Sequence, residues 1–222
     1  MKLVESGRIS KLARRWSNAE LRKFAGWFPG DIANVSGWRD EDKSGAHYAD
    51  YFTQKSSYTI TNYKPSLRGM QGVPNEVFLD LAAPLDRALT DRFDVVFNHT
   101  VLEHIYEFQT AFTNLCTMSR DVVIIVVPWL QPYHGDYGDY WRFSPLAVQK
   151  MYEANGLLPL YVSFNEDAFA SVYVFALGSK HPDRWRARFP EPISVKNAAQ
   201  RVAGARSIVQ GVRGALRVLR GK

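Results

Sequence analysis

Two separate stretches of the chain hold most of the side chains able to do chemistry. The first runs Asn98-His99-Thr100 and, three residues on, Glu103-His104. The second is Pro128-Trp129-Leu130-Gln131-Pro132-Tyr133-His134-Gly135-Asp136-Tyr137-Gly138-Asp139-Tyr140-Trp141-Arg142-Phe143, polar, aromatic and charged throughout. An imidazole with an ordinary pKa near 6.5 is suited to moving a proton at neutral pH. His134 is therefore the leading general-base candidate, with Asp136 or Asp139 placed by sequence to orient it. Arg142 can serve as a loop-to-carboxylate anchor or as a substrate ligand. His104 can be a structural hydrogen-bonder or a base. Glu103 suits the positive end of a helix. The aromatics of the loop can bind an acceptor or simply pack over the scaffold.

Such groups need a rigid frame, and the segments around them supply one. Asp31–Val35, Tyr58–Thr61, Val77–Leu79 and Phe93–Phe97 are short strand-like runs. Val122–Val127 is an unbroken β-branched run without alternation, as expected of a strand covered on both faces. Leu102, Ile105, Phe108, Phe112 and Leu115 recur at three- and four-residue steps and predict a helix from Val101 to about Met118. Ser144, Pro145 and Gly156 bracket a second helix over 145–155. Leu157–Phe164 and Ser171–Leu177 read as a closing strand pair. Strand–helix alternation followed by that pair predicts an α/β three-layer sandwich with a mostly parallel sheet. In such a sheet ligands bind beyond the carboxyl ends of the strands, near the point where strand order reverses. The residues just after each strand therefore matter most: Ser36-Gly37-Trp38, Asn62, Asp80, Asn98-His99 and the loop after Val127.

The stretches FDVVFNHTVLEH and H…DYWRFSP, at this separation, resemble class I S-adenosylmethionine-dependent methyltransferases. More narrowly, they are similar to the branch met in bacterial cell-surface glycan biosynthesis. The resemblance covers about residues 28–180. It implies a seven-stranded sheet with its last strand antiparallel, S-adenosylmethionine as cofactor, and methyl transfer to a hydroxyl of a sugar, glycan or related small acceptor. It also implies roles for particular residues. Ser36-Gly37 stands where the family has a glycine-rich turn, with Ser36 and Trp38 in place of the outer glycines. Asn62 stands where an acid binds the ribose hydroxyls, Asp80 where an acid reaches the adenine, and Asn98-His99 beside the cofactor. His134, Asp139 and Arg142 fall on the acceptor side. The departures at Ser36, Trp38 and Asn62 raise an alternative, a catalytically inactive scaffold or regulatory subunit of a glycan assembly complex. Ser36-Gly37 can also be a plain turn, and Asp80 an N-cap or turn residue.

Composition bounds the rest. At 222 residues, 46% hydrophobic and 23% charged, the chain can bury a full core and is not of the disordered class. One cysteine, Cys116, excludes a disulfide framework and a cysteine-based zinc cluster, and no metal is expected. No apolar run approaches a membrane span and no secretory signal is expected, which predicts a cytoplasmic protein. The net charge of +6 is unevenly spread. Residues 1–16 and 193–222 together carry +11, leaving the body at −5. That partition argues against a nucleic-acid groove in the body and for basic arms. Val195, Ala199, Val202, Ala205, Val209, Val212, Leu216 and Leu219 predict a basic amphipathic helix over 193–222. It suits an anionic membrane surface at the inner membrane face, or a protein partner. The expected organisation is a basic N-terminal arm or helix (1–27), a methyltransferase-like core domain (28–180), a linker (181–192) and the C-terminal helix (193–222).

Overall fold

The computed structural model describes residues 4–42, 44–64, 69–135, 137–166 and 171–189, with side chains from residue 12 onward. The helix expected over 193–222 and Asp136 lie outside the described residues.

Seven strands form one sheet: β1 (Gly30–Val35), β2 (Lys55–Asn62), β3 (Glu76–Phe78), β4 (Phe93–His99), β5 (Ser119–Leu130), β6 (Leu158–Phe164) and β7 (Val172–Ser179). Their order is β3-β2-β1-β4-β5-β7-β6. The first five pair in parallel, and β7 runs antiparallel to both β5 and β6. Strand order reverses between β1 and β4, where Val35 lies opposite Asn98. This is the Rossmann-like methyltransferase fold that the resemblance implied.

The β-branched run of β5 is covered on both faces, as its lack of alternation predicted. Val123, Ile125 and Val127 pack with Phe112, Leu115, Val148 and Tyr152 from helices α2 (Phe108–Met118) and α3 (Pro145–Ala154). Val122, Ile124 and Val126 pack on the other face with Leu21, Phe24, Phe28 and Phe52. Helix α3 starts as expected, with the Ser144 hydroxyl accepting from Ala147 N and proline in the first turn. Cys116 is buried in the core, and burial pushes its thiol up to about 12. It is inert packing, as its apolar helix face suggested.

Three expectations need correction. The helix predicted from Val101 to Met118 is broken: a 3-10 turn covers Leu102–His104, Ile105 is extended, and α2 begins at Phe108. The cause is competition for a carbonyl. Glu103 O, which a continuous helix would use internally, accepts from Tyr140 N and Trp141 N of the loop after β5. The basic N-terminal segment is not a free arm. Helix α1 (Val4–Phe24) buries Ala13, Ser17, Asn18, Glu20, Leu21 and Phe24 against the sheet. Tyr161 donates to Glu20, and Asn18 and Arg22 both bond Asp42. The segment read as a linker is docked as far as residue 189. Trp185 Nε1 donates to Asp121 at 3.0 Å and its ring meets Phe28 edge-on, while Phe189 packs on Phe24.

Candidate functional site

At the carboxyl end of β1 the chain turns through Ser36, Gly37 and Trp38. Positive φ angles fall on Ser36 (57°) and Trp38 (51°), the two positions without glycine. The backbone has kept a glycine-type turn where the side chains have not. Gly37 is needed for space. A Cβ there would lie 2.5 Å from Asn34 Nδ2, which itself donates to Asp40.

Asn62, at the end of β2, holds this turn. Its Oδ1 accepts from Trp38 N at 2.8 Å, and its Nδ2 donates to Trp38 O and to Glu76 Oε1. Both amide hydrogens are used, so only one lone pair of Oδ1 is left for another donor. In this structure Asn62 fixes the 36–38 turn. Glu76 in turn accepts from Gln71 N and Gly72 N. Burial acts to raise its pKa, but these hydrogen bonds outweigh it and hold Glu76 below its ordinary value. Asp80 follows β3 and accepts from Ala82 N through Oδ1, the turn role that its sequence context also allowed.

Asn98 ends β4 at the reversal point. It is fully buried, its Nδ2 donates to Val35 O, and its Oδ1 has no partner among the described residues. A buried acceptor without a partner calls for an explanation, and a ligand's donor is one. His99 turns the other way, towards α1. Arg14 donates to its Nδ1 (3.2 Å), so Nε2 carries the hydrogen and donates to Ser17 Oγ, which donates to Arg14 O. The ring lies against Tyr48, Phe97 and Tyr173. These contacts tie His99 to α1. Arg14, hidden in the basic N-terminal segment, is the partner that sequence reasoning missed.

On the acceptor side, the loop after β5 is pinned by a buried ion pair. Asp139 accepts from both Nη1 and Nη2 of Arg142 and from His134 N. Arg142 spends its remaining donors on the carbonyls of Gln131, Pro132 and Trp141. All five N–H bonds are engaged, so Arg142 is the loop anchor and not a substrate ligand. Burial works to raise the Asp139 pKa, but Arg142 and the His134 N–H bring it down to about 2. In this structure Asp139 and Arg142 together hold the loop in place.

What they position is a three-residue cluster. Ligand-capable atoms of Glu103, His104 and His134 all lie within 4.8 Å of one another. His104 Nδ1 faces the Gly138 carbonyl, which can only accept, so Nδ1 is protonated and Nε2 holds a lone pair. That Nε2 is 3.7 Å from Glu103 Oε1. Burial, with His134 beside it, lowers the His104 pKa against the opposing pull of the Gly138 carbonyl. Glu103 is 1% exposed and its Oε2 has no partner among the described residues. Burial raises its pKa to about 8, against the lowering fields of Arg14 and Arg142. The His134 ring crosses His104 edge-on at 5.0 Å. Its Nδ1 lies 3.2 Å from Asp139 Oδ2 but out of line for a hydrogen bond. His134 is thus where the sequence placed it. Its partners are Glu103 and His104, whose signal was their adjacency just past the end of β4.

No protein-family model matches the chain, and no curated protein sequence does. Solved structures do match. One is the 1,6-didemethyltoxoflavin-N1-methyltransferase of Burkholderia thailandensis, with bound 1,6-didemethyltoxoflavin and S-adenosylhomocysteine. It is 15% identical over 76% of this chain and 78% of its own, with a TM-score of 0.52. Another is the magnesium protoporphyrin IX methyltransferase of Synechocystis PCC 6803, with bound S-adenosylmethionine. It is 12% identical over 81% of this chain and 85% of its own, with a TM-score of 0.53. At these identities the likeness is one of fold.

Proposed function

We propose that the chain binds S-adenosylmethionine at the β1/β4 reversal point and transfers its methyl group to an oxygen of a small polar acceptor. A sugar or glycan hydroxyl is the acceptor class the sequence resemblance favours. The observation that carries the reading is the convergence at one sheet edge of two unmet polar features. These are the orphaned Asn98 Oδ1 beside the 36–38 turn, and the cluster of Glu103 and His104, just after it on the chain, with His134 from the loop after β5. The neighbours with bound S-adenosylmethionine or S-adenosylhomocysteine share this fold and support the choice of cofactor.

The residues fit such a group at three places. The 36–38 backbone, Asn98 Oδ1 and the second oxygen of Asp80 would hold it, with Asn62 fixing the turn. Bound, the cofactor supplies an electrophilic methyl on sulfonium sulfur. The chain's own task is to orient the acceptor oxygen and to assist loss of its proton. His134, one-third exposed, and the Nε2 lone pair of His104 are placed for the proton, and the Asp139–Arg142 pin keeps His134 in place. Tyr106, Tyr133 and Tyr140 are exposed near this loop and offer ring faces to an acceptor.

The second reading, an inactive scaffold, rests on one feature: the amide hydrogens of Asn62 are spent on Trp38 and Glu76. Thermal melting with S-adenosylhomocysteine separates the two readings, because a ligand selective for the native state raises the melting point. The enzyme reading expects a rise that Asn98→Ala and Asp80→Ala reduce. No rise at millimolar ligand, in a folded sample, establishes the scaffold. Residues 193–222 are proposed as a contact for an anionic membrane or a protein partner. Sedimentation with anionic vesicles, and its loss on deleting that segment, tests the lipid arm.

A further inference from the structure

We infer that Glu103, His104 and His134 form a binding site for a divalent transition-metal ion. The donor set is two imidazoles and one carboxylate, brought together from two loops that the fold clamps against each other through Glu103 O. Three such donors suit zinc, cobalt, manganese or ferrous iron, and leave coordination positions open. An all-oxygen shell, which magnesium and calcium prefer, is not on offer.

Two further observations point to a cation. Glu103 is 1% exposed, and its Oε2 is buried without a partner among the described residues. A buried carboxyl oxygen left without a partner is costly, and a cation there would displace the carboxyl proton and meet both oxygens. The second observation is that His104 already has an outer partner of the kind metal-ligating histidines use. His104 Nδ1 is held by the Gly138 carbonyl, which leaves Nε2 to coordinate. His134 Nδ1 sits 3.2 Å from the Asp139 carboxylate, itself fixed by Arg142. Metal–ligand bonds near 2.1 Å put donor atoms roughly 3–3.5 Å apart. The present 4.8 Å limit must therefore shrink by about 1.3–1.8 Å when the ion is bound. The charge of Arg14 also reaches Glu103 and opposes a dication, which favours ions that bond strongly to imidazole.

The ion site does not depend on methyl transfer. If the proposed function holds, the ion gains a role there. An acceptor hydroxyl entering an open position would become more acidic, its O–H bond breaking, the oxygen staying on the ion and the proton leaving to solvent past His134. The two imidazoles would then act as ligands rather than bases.

The test uses the untagged full-length chain, stripped with EDTA and titrated with Co(II) or Zn(II) alone. Ligand-field absorption should grow to one Co(II) per chain, and calorimetry should show one Zn(II) site. His104→Ala and His134→Ala should each weaken binding beyond the roughly 10–100-fold that losing an outer partner costs. His47→Ala and His181→Ala should leave it unchanged. Should His104→Ala fail to fold, His134→Gln decides, since His134 is the most exposed of the three side chains. Absence of bands and heat, or binding retained in His134→Gln, overturns the site. Melting with S-adenosylhomocysteine is read separately on the stripped protein, so loss of that shift counts against the methyltransferase reading alone.

Discussion

Gly37 and Trp38 are neighbours with opposite tolerances. Alanine at 37 drives a Cβ to 2.5 Å from the Asn34 amide, inside a buried hydrogen bond to Asp40. Gly37→Ala should cost about 1–3 kcal/mol, as overpacking does. Trp38 pays for a left-handed φ of 51°, so Trp38→Gly relieves strain while loosening the unfolded chain, and should change stability by less than about 1 kcal/mol. Urea denaturation of the two variants checks the contrast. Equal effects would mean that the turn is not limited by contact with Asn34. Asn62→Asp, which restores the acid implied by the resemblance, should not help the fold. It removes both donors and sets a carboxylate where Nδ2 lies 2.6 Å from Glu76 Oε1. A loss of about 1.5–3 kcal/mol is expected, read as a lower urea midpoint.

The loop after β5 is the element on which the candidate site depends, and it has little regular structure of its own. Its order comes from Arg142, whose five donors tie Asp139 to three backbone carbonyls. Lysine cannot reproduce that fork. Arg142→Lys should therefore behave nearly like Arg142→Ala, destabilising by about 3–5 kcal/mol because buried Asp139 loses its partner. Limited proteolysis should then cut within 131–144, where the parent is protected. An Arg142→Lys variant as resistant as the parent would show that charge alone holds the loop. The break between Leu102–His104 and α2 belongs to the same device, since the loop occupies the carbonyl that would have continued the helix.

The whole molecule is closed by α1 and the segment to residue 189, which cover one face of the sheet. Asp42 is the junction. It accepts from Tyr51 Oη, Arg22, Ser44 N and Ala46 N, and its side chain is fully buried. Burial alone would raise its pKa, but the Tyr51 hydroxyl, the two N–H groups and Arg22 together hold it below the ordinary value. A carboxyl depressed on folding contributes stability above its unfolded pKa, near 3.9, and loses it as pH falls through the folded value. Urea midpoints should therefore drop from pH 5 downward, and less steeply in Asp42→Asn, which starts from a lower plateau. Parallel slopes would assign the acid sensitivity elsewhere. Removing residues 1–24 uncovers Phe28, Phe97 and Phe175, so that truncation should aggregate. The vesicle test of residues 193–222 needs only that the remaining body stay folded.

Periodicity and punctuation were enough to read the sheet's strands, the double burial of β5, the start of α3 and the antiparallel close, because each depends on residues near in sequence. That His134 and Asp139 share one loop after β5 was also legible, and the structure brings them within 3.2 Å of each other. Other features depend on which distant groups meet, and no local pattern encodes that. Glu103 and His104 join His134 only because the loop's N–H groups capture the Glu103 carbonyl. His99 and Asn62 lie where the pattern put them, yet Arg14, Ser17, Trp38 and Glu76 take up their polar atoms. A basic N-terminal helix reads as a free arm until its buried stripe finds a face of the sheet to cover. Hydrogen-bonding capacity is finite, and only the tertiary structure decides which partner uses it.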